Sequence, residues 1–260
     1  MELFNDLKRG FRTILADPWW WLKVLLAGFL LINPLLIVLG LRMLGAEEAG
    51  HVVQRWEMPA FFGALAFNVL SFWFPLGFTY EVLRRARFAS AAQLPSWGLD
   101  HWRTYAVEGS VKLVIAIFTL LLPVGVWMGL CWLVFVKLFG VPSAMLSMMY
   151  APAMLLAIPF CGVGCCRWLD GAGVLDASLN YKRNIEILLS RGKEFLIASL
   201  FLTGFNTVAC AFIYTIPFAA VFGLCLVDTW FGPIYASSPL SEEKARDIRA
   251  AKLVEKYVRR

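Results

Sequence analysis

The chain has 260 residues, a net charge of +6, and only 16% charged side chains against 60% hydrophobic ones. A soluble domain carries about a quarter charged residues, so this chain has too little charge to cover an apolar core in water, and bilayer is the solvent it implies. Its cations gather at the ends of apolar runs, which argues against nucleic acid and for anionic lipid headgroups as partners.

The first segment, FNDLKRGFRTILAD, puts Phe4, Leu7, Phe11, Ile14 and Leu15 on one helical face, with Asp6, Lys8, Arg9 and Arg12 away from it. That is the pattern of an interfacial helix. Charges from Glu2 to Asp17 precede any apolar run and no small-residue cleavage site follows closely, unlike a secretory signal. Asp17-Pro18 ends the helix, because the residue before proline avoids the helical region. Trp19, Trp20 and Trp21 follow as an aromatic belt at headgroup level.

A first span is expected over about 20–44, kinked at Asn33-Pro34 with a freed backbone carbonyl. A polar stretch with Glu47, Glu48 and Glu57 leads to a second span, about 59–83, interrupted by Pro75-Leu76-Gly77. The connector from Phe74 to Lys112 holds Arg84, Arg85 and Arg87, a small-residue linker, a Pro95-Ser96-Trp97 turn and a short amphipathic segment containing Trp102 and Arg103. A third span follows at about 111–138, with Pro123 and Gly125, and a fourth at about 143–166. Residues 169–193 form a second amphipathic segment, with Lys182 and Arg183. The apolar stretch from Phe195 to Tyr235 is too long for one span of about 20 residues. Thr215-Ile216-Pro217 divides it into 194–214 and 217–236. The tail, 241–260, reads as a charged helix.

Lysine and arginine then set the topology. With six spans, 21 of the 24 cations fall on one side, leaving Arg42, Arg55 and Lys137 on the other. The positive-inside rule makes the rich side cytoplasmic. The expected fold is an all-α membrane protein of six transmembrane helices, arranged as three hairpins (about 19–84, 110–168 and 194–236). Each hairpin is preceded by an amphipathic interfacial helix. Both termini are cytoplasmic, 1–240 is one polytopic domain in the cell's inner membrane, and 241–260 is a cytoplasmic helix. Outgoing spans that each open near a lysine (Lys23, Lys112, Lys193), and return spans that each end in a Pro/Gly interruption beside an aromatic, suggest three divergent repeats. The lysines are read as snorkelling to the headgroups.

Within the spans, Asn33, Asn68, Asn206 and Asp228 are the polar or ionisable residues that bear a transport-site reading. Against it stands ordinary interhelical hydrogen bonding for the amides, and an interfacial carboxylate or lysine partner for Asp228. Glu81 reads as an ion-pair partner of Arg84 and Arg85. Arg84, Arg85, Arg87, Arg103, Lys182 and Arg183 form a basic surface for lipid headgroups or a partner. Trp19, Trp20, Trp21, Trp97 and Trp102 are interfacial anchors. The six cysteines, all in apolar runs, read as buried free thiols, and Cys161-x3-Cys165-Cys166 lacks the second ligand pair of a metal site. No metal or cofactor is implied. The two histidines, His51 and His101, are placed in loops, and Ser96, Asp100 and His101 read as neighbours on a connector rather than a catalytic group.

Three stretches also resemble a family of bacterial and archaeal multi-pass membrane proteins catalogued as a domain of unknown function: Asp17-Pro18-Trp19, Gly77 to Arg85, and Leu94-Pro95-Ser96-Trp97. The likeness runs over about residues 3–236, with the acidic pair usual after the last motif reduced to Asp100. It implies architecture and no activity. The expected function is therefore non-enzymatic: an accessory or structural subunit that docks to other membrane proteins, self-associates or organises lipid. The alternative is a small-solute transporter or channel with a polar site between hairpins. A lipid-modifying enzyme using Asp100, Asp170 or Asp176 is a third, weaker reading.

Overall fold

The computed structural model describes residues 2–49, 54–88, 94–209 and 215–244. His51 and the tail beyond Lys244 lie outside them. The described residues are mainly helical, with no strand among them. Four helices are long and apolar enough to cross a membrane: Glu57–Phe88, Leu99–Leu138, Met148–Leu169 and Ile216–Lys244.

Helix α1 (Glu2–Leu15) meets α2 (Trp20–Leu31) at 94°. The corner is built by Asp17. Its Oδ1 accepts the Trp19 N–H at 2.9 Å and its Oδ2 accepts Lys23 Nζ at 2.6 Å. Lys23 therefore does not snorkel; it also donates to the Leu94 carbonyl at 3.0 Å, tying the connector to α2. The apolar face of α1 is covered by protein. Leu7 and Ile14 are buried, Phe11 packs against Phe222 and Trp230, and Trp230 Nε1 donates to the Leu7 carbonyl.

The kink expected at Asn33-Pro34 is a full break. α2 ends at Leu31, Ile32 is extended, and α3 (Pro34–Ala49) starts afresh. Helices α4 (Glu57–Ser71) and α5 (Trp73–Phe88) are nearly continuous and form one of the long apolar elements. The sequence suggested a connector segment followed by a separate span. Instead α6 (Leu99–Ala116) runs on through a π-helical turn (Ile117–Leu121), α7 (Leu122–Cys131) and a second π-helical stretch (Trp132–Leu138). Pro123 has no N–H for the Thr119 carbonyl, and the backbone widens into the π turn just before it. His101 accordingly lies on a helix rather than in a loop.

Helix α8 (Ser147–Leu169) returns across the bundle, and the short α9 (Val174–Leu179) and α10 (Tyr181–Ser190) follow. Then come α11 (Gly192–Ala209) and α12 (Ile216–Ser237). α12 is the centre. It packs on α1, α2, α5, α8 and α11, and most of its residues, from Pro217 to Tyr235, are buried. The outer surface is the reverse: Leu70, Leu130, Leu133 and Phe139 point outward and are exposed.

Candidate functional site

Two polar assemblies lie within this apolar bundle, and a third lies at one of its ends. At the α2–α3 break, Asn68 of α4 serves both broken ends. Its Oδ1 accepts the Asn33 N–H at 2.8 Å, and its Nδ2 donates to the carbonyls of Leu31 at 2.8 Å and Leu30 at 3.4 Å. Ser71 Oγ donates to Leu30 at 2.8 Å. Asn33 itself caps α3, its Oδ1 accepting the Leu35 N–H. Leaving a buried backbone group unsatisfied costs roughly 1–3 kcal/mol, whereas losing an N-cap costs about 1 kcal/mol. Asn68→Ala is therefore expected to lower the thermal midpoint of the detergent-solubilised chain more than Asn33→Ala does. Equal losses would deny Asn68 this role.

The second assembly joins three helices. Lys112 of α6 donates to Asp228 Oδ2 of α12 at 2.6 Å and to Thr79 Oγ1 of α5 at 2.9 Å. Lys112 and Asp228 are 6% and 4% exposed, too little for either charge to be solvated. Isolated, each would carry a large desolvation penalty; paired and hydrogen-bonded, they offset it. Cys161, Cys165 and Cys225 belong to the same buried core. Asn206 lies apart from both assemblies, its Oδ1 buried without a hydrogen-bond partner beside Gly223. The four transport-site candidates are thus not brought together: Asn33 and Asn68 meet, Asp228 pairs with a lysine, and Asn206 joins neither.

The third assembly gathers the ends of α5, α8 and α12 with α9, α10 and Glu108 of α6. Arg84 bridges Glu81 and Glu108, and Arg85 pairs with Glu81 at 3.1 Å. Arg87 is buried and pairs with Asp170 at 3.2 Å and with Glu243. Arg167, 2% exposed, donates to Glu242 at 2.9 Å and to Asn184 at 2.8 Å, and also pairs with Asp176. Arg183 faces Glu186 at 3.5 Å and Glu242 at 3.6 Å. Of the six basic candidates, four are thus engaged by carboxylates of this chain, while Arg103 and Lys182 are exposed. The hydrogen bond from Asn180, with the charge of Arg167, holds the Asp176 carboxyl below the usual carboxylate range. Its ion pair is therefore complete at neutral pH and is lost only as acidification passes that lowered pKa. A cavity of about 400 Å³ opens here, lined by Arg167, Asp170, Asp176, Asn180, Arg183 and Glu242.

The aromatic candidates also divide. Trp19 and Trp21 are exposed, and Trp20 packs on Phe218 and Phe222. Trp97 stacks on Phe78 and donates to the Lys23 carbonyl at 3.2 Å, and Trp102 packs on Phe74 and Trp97. The Pro95-Ser96-Trp97 turn is thus fastened to the bundle, with Tyr105 Oη donating to the Ser96 carbonyl at 2.7 Å. Sequence reasoning passed over Thr79, Glu108, Arg167 and Glu242 as partners; the only hint was their charge or hydroxyl beside long apolar runs. Comparison with family models, curated proteins and solved structures gives no match to this chain.

Proposed function

We propose that this chain is a non-enzymatic, six-span membrane protein of the inner membrane with both termini cytoplasmic, acting as an accessory subunit that docks to other membrane proteins or organises lipid. One observation carries the reading. The buried charges are spent on one another, Lys112–Asp228 within the bundle and Arg87–Asp170 at its end, while the outer surface is apolar. Such an interior holds helices in register, and its exterior meets lipid or other helices. The sixfold crossing and its sidedness rest on the distribution of cations. The resemblance to the uncharacterised multi-pass family is part of the same proposal. A mild native preparation is expected to retain partner membrane proteins or bound anionic lipid. A bare monomer with neither would overturn the reading.

The break between α2 and α3 favours a second reading. Discontinuous helices whose backbone is capped by side chains recur at transport sites, and an apolar cavity of about 420 Å³ beside Asn68 adjoins this one. A transporter working through the buried ion pair would lose flux in proteoliposomes when Asp228→Asn is introduced. Unchanged flux in Asp228→Asn and in Asn68→Ala removes that alternative.

A further inference from the structure

The arginine-rich end contains an occupant supplied by the chain itself. Just past α12, the segment 240–243 folds back onto the ends of α8 and α10. Arg183 Nη2 donates to the Leu240 carbonyl at 2.9 Å, and the Glu242 N–H donates to Tyr235 Oη at 3.0 Å. The Glu242 carboxylate then enters the cavity between Arg167 and Arg183, while Glu243 reaches Arg87. The helices alone set Arg87, Arg167 and Arg183 against Asp170, Asp176 and Glu186, so without this segment the charges balance and the guanidinium donors that Glu242, Glu243 and Leu240 occupy are freed. Glu242 and Glu243 make the site net negative.

We propose that this cavity is a phosphate-group site, for a phospholipid headgroup or a free phosphate monoester, and that Glu242 and Glu243 hold the ligand's place until the segment 240–243 withdraws. Guanidinium forks match the oxygen geometry of phosphate as well as that of carboxylate. Arg167, which lines the cavity, is already desolvated and fixed, at 2% side-chain exposure, so little ordering of it remains to oppose binding. The volume of about 400 Å³ lies in the range of small-ligand sites. The Glu243 side chain is 56% exposed, so its release does not require opening of the core.

The lipid form of the ligand rests on the lipid-organising reading above; the free-phosphate form does not, and partner co-purification stands or falls separately from both. The test uses the full chain in detergent and in nanodiscs. Glu242→Gln/Glu243→Gln is expected to bind inorganic phosphate, or nanodiscs containing phosphatidate rather than phosphatidylcholine alone, at least tenfold more tightly than the unaltered chain. Adding Arg183→Gln removes the gain. A gain with phosphatidate nanodiscs only identifies a headgroup, and a gain with inorganic phosphate as well identifies a free phosphate monoester. On the unaltered chain, the same probe, at matched ionic strength, is expected to accelerate trypsin cleavage after Lys244 severalfold. The proposal is overturned if the helical double variant shows no gain with either probe, if the gain survives Arg183→Gln, or if cleavage after Lys244 is unchanged.

Discussion

Lys112→Ala and Asp228→Ala are each expected to lower stability by about 3–5 kcal/mol, because each leaves its former partner as an uncompensated buried charge. That corresponds to a fall of about 10 °C in thermal midpoint for a chain of this size. The double replacement Lys112→Met/Asp228→Leu is expected to recover most of the loss, since apolar side chains of similar volume remove both charges together. The expected pattern is therefore strongly non-additive, with the double variant more stable than either single one. Thr79 separates a plain ion pair from a three-helix junction. Its Oγ1 accepts from Lys112 at 2.9 Å, so Thr79→Val should cost about 1 kcal/mol beside an intact Asp228. In the Met/Leu background it should cost nothing. Thermal unfolding of the detergent-solubilised variants, followed by helical circular dichroism, measures all five. Additive losses would show that Lys112 and Asp228 do not act as a pair.

How much of this was legible in the sequence depends on the range of the interaction. Local backbone chemistry was readable: Asp17-Pro18 ended α1, Asn33-Pro34 opened the backbone, and Thr215-Ile216-Pro217 marks where α12 begins. Proline's missing N–H and fixed φ act within a few residues, so a single sequence carries them. Glu81 with Arg84 and Arg85 was readable for the same reason, at separations of three and four on one helix. The partner of Asp228 was not. Lys112 lies 116 residues away, and no periodicity within either segment names the other. Lys112 also looked like a lysine at a span boundary, because the polar run ends there. The structure continues the helix instead, and Glu108 and Lys112 are tolerated inside it since Arg84 and Asp228 meet them. Asn68 and the freed carbonyls fall between these cases. The need for a donor was readable at Asn33-Pro34, but which of several amides supplied it was a matter of packing. The connector shows the same division. Its Pro95-Ser96-Trp97 turn was evident, but that the half-buried Trp97 stacks on Phe78 was a matter of packing between distant segments.

Gly77→Ala and Gly109→Ala are each expected to be strongly destabilising, although a methyl group is the smallest side chain that can be added. At Gly77 on α5 a Cβ would overlap the Tyr105 carbonyl of α6, and at Gly109 on α6 it would overlap the Trp73 carbonyl of α5. The two glycines thus let the helix backbones touch from both sides, as small residues do in membrane helix pairs. The obstacle is backbone rather than a flexible side-chain end, so the helices must part. The cost is expected at the upper end of the overpacking range, about 3 kcal/mol. Parting α5 from α6 also moves Thr79, two residues beyond Gly77, and Lys112, one helical turn beyond Gly109, away from each other. The coupling between Lys112 and Asp228 should therefore shrink in a Gly109→Ala background. Gly63→Ala and Gly125→Ala are the controls. Nothing lies within 4 Å of a Cβ at either position, so alanine there should be neutral or gain about 0.5–1 kcal/mol from reduced backbone freedom in the unfolded chain. Thermal midpoints of the four variants in one detergent decide the matter. If Gly77→Ala and Gly109→Ala are as benign as Gly63→Ala, close backbone contact does not hold α5 to α6, and side-chain links such as Lys112–Thr79 and Arg84–Glu108 fix their spacing instead.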